Sequence, residues 1–194
     1  MAHEGLHHVL SSEEKHLGGN MLEGDPFSYA PTTWRYLIDR FSIRSVLDLG
    51  SGMGNNAYWF HKQGLQVVAA DGLLDNCKRA VFPTINIDLT KTSVYCPVDL
   101  VHCVEVVEHI EEKYIENLLD SMCNGKVILM TNALPGQGGY HHVNEQPTEY
   151  WIQKFHARGY SVALDDSQRV RVLAANDNAL HVARTGLVLV NFNR

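Results

Sequence analysis

The sequence predicts an α/β protein: a doubly wound, mostly parallel sheet with helices on both faces. Three observations carry this. Short apolar runs alternate with amphipathic ones along most of the 194 residues. The apolar runs have the length of buried strands, well below the ~18 residues of a membrane span. Hydrophobic residues are 45% and charged residues 20% of the chain, the balance of one folded domain with an ordinary core. Ligands of such sheets bind beyond the carboxyl ends of the strands, so functional residues are expected where each strand stops.

The elements follow in order. Residues 1–30, with "SSEEKHLGGNMLEGDP", are polar and glycine-containing and read as an arm. Gly18 and Gly19 would let it close as a lid; a functionless arm is the alternative. His3, His7 and His8 lack ligand spacing and read as solvated. No basic end followed by a long apolar run is present, so no secretory leader is expected. The main domain is expected over residues 31–194. Pro31 suits the first turn of a helix over "PTTWRYLIDRF", where Trp34, Leu37, Ile38 and Phe41 share one face. Strands are expected at "SVLDL", "QVVAAD", "TINID", "VDLVHCVEV" and "GKVILMTNA", with helices at "NNAYWFHKQG", "LLDNCKRA" and "EEKYIENLLDSM" between them. A helix at "PTEYWIQKFHARG" leads into "YSVAL", and the chain closes on "GLVLVNF".

The net charge of −6 counts against a broad surface for nucleic acid or anionic membrane. The four cysteines form no C-x-x-C pair, and a domain of this size needs no disulfide. Free thiols in a reducing cytoplasm are the expectation.

Gly50, Gly52 and Gly54 follow the first strand directly, as a tight turn approaching a ligand requires. A dinucleotide fingerprint would need glycine or alanine at Asn55, and no Gly-Lys-Ser/Thr of a phosphate loop follows. Asp48 before the turn would repel a pyrophosphate but suits a cation. Asp71 ends the second strand, where an acid accepts hydrogen bonds from ribose hydroxyls. Asp88 ends the third. Three strand-end acids describe a ribose-bearing, positively charged ligand without phosphate, which is the chemistry of S-adenosylmethionine.

On these residues the chain resembles the class I S-adenosylmethionine-dependent methyltransferases, from about Pro31 onward. "DLGSGMG" has every fixed position of the D-x-G-x-G-x-G signature. The resemblance implies a Rossmann-like seven-stranded sheet with the last strand antiparallel. It implies that Asp48, Gly50, Ser51, Gly52 and Asn55 surround the methionine part of the cofactor. Asp71 and Gly72 would meet the ribose, and Asp88 and Leu89 the adenine. Glu105 would border the transferred methyl.

"CVEVVEHI" ends the fourth strand with Glu105, Glu108 and His109. The run resembles two metal-dependent branches of the family, ubiquinone-pathway O-methyltransferases and small-RNA 2′-O-methyltransferases. That resemblance implies a divalent ion such as Mg, Mn or Co, with His142 as a further ligand. Metal-free relatives carry similar runs, with the Glu toward the cofactor and the His packed locally. The loop "TNALPGQGGYHHVNEQPTEYW" holds His141 and His142, each a candidate base for an acceptor hydroxyl; Glu108 shares that catalytic candidacy. Tyr150 and Trp151 could line an acceptor pocket, or Trp151 and Phe155 could be core.

The expected activity is O-methylation of a small-molecule hydroxyl. Methylation of RNA or a nucleotide at a 2′-oxygen is the alternative within enzymes. A non-catalytic S-adenosylmethionine-binding module acting through a partner is the alternative outside them.

Overall fold

The computed structural model describes residues 15–17 and 23–193, apart from the side chain of Lys15. Seven strands form one sheet in the order β3-β2-β1-β4-β5-β7-β6. They are β1 Ser45–Leu49, β2 Gln66–Asp71, β3 Thr84–Asn86, β4 Val98–Cys103, β5 Gly125–Met130, β6 Ser161–Val162 and β7 Leu187–Val190. The first five are parallel, and β7 runs antiparallel to both β5 and β6. The strand order reverses between β1 and β4, so the crevice for a ligand opens beyond Leu49 and Cys103.

The near-continuous apolar strands are explained by burial on both faces. Alternate side chains enter opposite cores. Val46, Leu100, Val127, Leu129 and Val188 face one, with Trp34 and Leu37 of α1 (Pro31–Phe41), Phe60 of α2 (Asn55–Lys62) and Val170 and Ala174 of a later helix. Leu47, Val101, Ile128, Met130 and Leu189 face the other. Here they meet Leu118 and Met122 of α4 (Ile115–Met122) and Trp151 and Phe155 of α5 (Thr148–His156). Between α2 and α4 lies the short α3, Leu74–Arg79.

Three sequence-predicted strands end early. The third stops at Asn86, and Asp88 instead caps the following turn by accepting from the Thr90 N–H at 2.9 Å. The fourth stops at Cys103, because Glu105 takes a left-handed φ of 57° that no strand tolerates. The fifth stops at Met130. Two helices lay outside the sequence reading: α6 (Leu164–Asn176) and α7 (Leu180–Thr185). The buried stripe of α6 is only Asp166, Ser167, Val170 and Ala174, too narrow and polar to announce a helix.

One polar chain runs through the core beneath the glycine turn. Trp34 Nε1–H donates to His102 Nε2 at 3.2 Å. That leaves the proton on Nδ1, which meets Asp48 Oδ1 at 2.7 Å. Ser51 Oγ–H donates to the other oxygen, Oδ2, at 2.7 Å. Asp48 and His102 are each 1% exposed. A carboxylate so placed depends on its donors, since removing one partner leaves a buried charge uncompensated. His102→Leu is therefore expected to cost about 3–5 kcal/mol in urea unfolding, more than Trp34→Phe, which removes only the outer donor. Equal, small effects of the two would show that Asp48 does not need His102.

Candidate active site

The turn after β1 is built by backbone geometry. Gly50, Gly52 and Gly54 have φ of 69°, 55° and 77°. The N–H groups of Gly50 and Ser51 both donate to the Ala70 carbonyl, at 2.9 and 3.0 Å. A Cβ on Gly50 would lie 2.3 Å from a methyl of Val106, so only glycine lets the turn approach the end of β4. Asp71 then ties the turn to α3. It accepts from the N–H of Gly52 at 2.8 Å, from that of Leu73 at 2.9 Å, and from Asn76 Nδ2 at 3.0 Å. Burial nevertheless pushes the Asp71 pKa up, against those hydrogen bonds and with the Asp48 charge.

A cleft of about 810 Å³ opens above these strand ends. Gly50, Ser51, Gly52, Asn55, Asp71, Gly72, Leu89 and Glu105 all line it, as do His109 and His142. Two expected contact residues do not. Asp48 faces inward, both oxygens engaged by His102 and Ser51, and supports the turn from below. Asp88 turns toward Thr90, Lys91 and His16, with His16 Nε2 at 3.1 Å. Burial opposes its ionisation, but those hydrogen bonds outweigh it and hold Asp88 well below the usual carboxylate range. Ile87 and Leu89, on either side of Asp88, line the cleft instead.

The E-x-x-E-H run separates into two clusters. The Glu105 N–H donates to Thr131 Oγ1 at 2.8 Å, and that hydroxyl donates back to Glu105 Oε1 at 2.9 Å. Its Oε2 lies 3.0 Å from His181 Nδ1. Glu105 is thus engaged by Thr131 and His181, while its carboxylate still acts on the neighbouring Glu108. Glu108, His109 and His142 instead place one ligand atom each within 4.8 Å of one another. Glu108 is 0% exposed, and neither of its oxygens nor His109 Nδ1 has a hydrogen-bond partner. Burial, then the Glu105 carboxylate, pushes the Glu108 pKa well above its ordinary value. Burial, then the neighbouring His142 and His141, lowers that of His109 to about 4.

The loop between β5 and α5 brings His142 to this place. Val143 and Asn144 N–H both donate to the Glu108 carbonyl, at 2.9 and 3.0 Å. Glu145 accepts from the N–H groups of Gly136 and Gly138 at 2.7 and 2.6 Å, and lies 3.3 Å from His142 Nδ1. The ring meets that of His109 edge-on, with centroids 5.0 Å apart. A Cβ on Gly139 would lie 2.3 Å from His142 Nε2, so the glycine makes room for the ring. His141 and Tyr150 do not line the cleft, and Trp151 and Phe155 are core. Glu145 escaped the sequence reading, although its place three residues after His142 is a signal for an orienting carboxylate.

The far wall also went unforeseen. It comes from α7, with Leu180, His181 and Arg184, and from Asp25 and Phe27 before α1. His181 Nε2 lies 3.3 Å from Asp25 Oδ2, so one imidazole joins the segment before α1 to the end of β4. His16 and Leu17 cover the corner at Gly72; Gly18 and Gly19, and His3, His7 and His8, fall outside the described residues.

The sheet order and the cleft at its reversal define the class I methyltransferase architecture. A family model described as a methyltransferase domain matches residues 27–170, and the chain belongs to that family of S-adenosylmethionine-dependent enzymes. Among solved structures, the methyltransferase domain of bacterial CtHen1 is similar at 18% identity and a TM-score of 0.56, covering 71% of this chain and 88% of that one. A SAM-dependent methyltransferase from Archaeoglobus fulgidus matches at 18% identity and a TM-score of 0.54, over 92% and 97% of the two chains. Magnesium protoporphyrin IX methyltransferase from Synechocystis, with bound SAM, matches at 16% identity and a TM-score of 0.54, over 66% of each. No curated protein sequence matches. No helix among the described residues is long and apolar enough to cross a membrane, and no disulfide joins any of the four cysteines.

The His181 bridge has a pH signature. Burial opposes its charge, but the Asp25 hydrogen bond and the Glu105 and Asp25 charges raise its pKa above 6.5. The folded protein then holds this proton more tightly than the unfolded chain does. The bridge's stabilisation is full below pH 6.5 and fades as pH rises through the raised value. Thermal unfolding of His181→Gln is expected to show its largest deficit near pH 6 and a smaller one above pH ~8. A deficit that grows with pH would contradict the bridge.

Proposed function

We propose that the protein transfers the methyl group of S-adenosylmethionine to a hydroxyl of a small-molecule acceptor, beside a divalent ion held by Glu108, His109 and His142. The observation that supports this is the buried, unpartnered Glu108 carboxylate facing two imidazoles next to the cofactor cleft. Such a carboxylate is costly unless it is protonated or meets a cation. His109, with its pKa near 4, is neutral at pH 7 and has Nδ1 free to ligate. One carboxylate and two imidazoles suit Mn or Co better than Mg, which prefers oxygen alone.

Asp71 would accept from the ribose hydroxyls with its remaining lone pairs, while Gly72 and Leu89 flank the base. The Gly50–Gly52 backbone and Asn55 would seat the methionine end. The cofactor supplies an electrophilic methyl on a cationic sulfur. A divalent ion would supply Lewis acidity that lowers the pKa of an acceptor hydroxyl. The chain's own work is alignment: the loop zipped onto Glu108 fixes His142, and Glu145 at Nδ1 sets its tautomer, leaving the Nε2 lone pair available. Without an ion, that Nε2 is the group able to take the acceptor's proton, and Glu145 would stabilise the resulting imidazolium. A small acceptor fits the charge of the site. Among the described residues lining the cleft only Arg184 is a lysine or arginine, whereas RNA needs a basic track. An arrangement of unpartnered buried ligands argues against a merely cofactor-holding module.

Two measurements test this. Calorimetry should show Asp71→Ala binding S-adenosylhomocysteine more weakly by about 1.5–3 kcal/mol. No heat with wild type would remove the cofactor assignment of the cleft. Methyl transfer from labelled cofactor into a metabolite extract should be lost in EDTA and restored by Mn or Co. Glu108→Ala should mimic the chelator, and His142→Ala should lower turnover by ~10²–10⁴. Full turnover after exhaustive chelation, with no metal by elemental analysis, would leave His142 as a base and no ion.

A further inference from the structure

Arg184 is the one lysine or arginine among the described residues lining a cleft that holds three acids. Asp25, Asp71 and Glu105 reach the same space, yet Arg184 makes no ion pair with any of them. The reason lies one helical turn away on α7. His181 occupies both nearby carboxylates, Asp25 Oδ2 at 3.3 Å and Glu105 Oε2 at 3.0 Å. The guanidinium of Arg184, exposed on the cleft wall, has no hydrogen-bond or ion-pair partner among the described residues. His181 thus engages both acids, and neither pairs with Arg184.

Its position separates it from the adenosine end. Asp71 ends β2, on one side of the glycine turn of β1. Arg184 leads into β7, whose first residue, Leu187, pairs with Met130 at the carboxyl end of β5. The side chain therefore approaches from the opposite side of the crevice, past Glu105. Phe27 and Leu180 flank that wall and offer apolar contact. A planar guanidinium presents a fork that matches one carboxylate or one phosphate. Without it, the surrounding acids would repel an anion.

We infer that the acceptor is a hydroxy acid, a small molecule carrying a carboxylate or phosphate that Arg184 recognises, with its hydroxyl presented toward the Glu108–His109–His142 cluster. This rests on the reading of the cleft as a methyl-transfer site. One free arginine among the described lining residues also sets the size of the charge: one acidic group rather than a polyanion.

The test is calorimetric and uses protein saturated with S-adenosylhomocysteine, whose own binding reports separately on the cofactor reading. The probes are 3,4-dihydroxybenzoate, its methyl ester, glycerol 3-phosphate and glycerol. At least one acid should bind about tenfold or more tightly than its neutral counterpart, as expected for a charge-assisted bidentate contact. In Arg184→Gln that preference should vanish, Arg184→Lys should restore part of it, and S-adenosylhomocysteine affinity should change by less than about twofold. Three results would overturn the inference: no acid preferred in wild type, the preference kept in Arg184→Gln, or a tenfold loss of S-adenosylhomocysteine affinity in that variant. The last would assign Arg184 to the cofactor's own carboxylate. Absence of S-adenosylhomocysteine binding to wild type would instead remove the underlying cofactor reading, and the inference with it.

Discussion

Like charges gathered at the carboxyl edge of the sheet constrain everything built above it. Asp48, Asp71, Glu105 and Glu108 converge at the ends of three adjacent strands, and all but Glu105 are buried. Three of them are satisfied, each differently. Asp48 is held by a neutral histidine and a serine hydroxyl. Asp71 is met by two backbone N–H groups and an amide. Glu105 is shared between Thr131 and His181. The Glu108 oxygens have no hydrogen-bond partner among the described residues. Repulsion among them can be relieved by protonation or by a cation, and a positively charged cofactor is the first such cation to expect.

That distribution divides labour within the edge. The two carboxylates with fixed partners shape the turn: Asp48 from beneath and Asp71 from the side. Asp48 holds the Ser51 hydroxyl and Asp71 the Gly52 N–H, so the turn's geometry is a consequence of buried electrostatics as much as of glycine. Glu105, in a left-handed conformation, breaks β4 and swings the following residues into a short 3-10 turn, Val107–His109. A residue held in that backbone region needs local support, and the reciprocal bonds with Thr131 provide it. The loop after β5 then docks on the same turn through the Glu108 carbonyl. Strain in one residue thereby brings His142 to His109.

Much of this was legible in the letters. The sheet could be read because strands buried on both faces are continuous apolar runs between amphipathic helices. The glycine turn could be read because three alternating glycines behind a strand-end acid suit few ligands. The Glu108, His109 and His142 grouping was legible as residue types at one strand end and in one loop. Further features were hidden. Asp48 and Asp88 have the right positions along the chain, but side-chain direction decides whether an acid faces ligand or core, and His102, Trp34 and His16 decide that direction from distant segments. The bonds of Glu105 to Thr131 and His181 were hidden because spacing says nothing of its left-handed backbone. The α7 wall was invisible because "LHVART" is short and only Val182 and Thr185 are buried, so its sequence gives almost no period to read.

The central claim is that the end of β4 and the loop after β5 form one site, continuous with the cofactor cleft and able to hold a cation. The most direct measurement is anomalous diffraction from crystals grown with S-adenosylhomocysteine and Mn. The account predicts one anomalous peak within bonding distance of Glu108, His109 and His142, with the sulfur of the product cofactor in the same cleft and its ribose on Asp71. A site with the product bound at Asp71 but no anomalous density, and a direct hydrogen bond between Glu108 and an imidazole in its place, would contradict it.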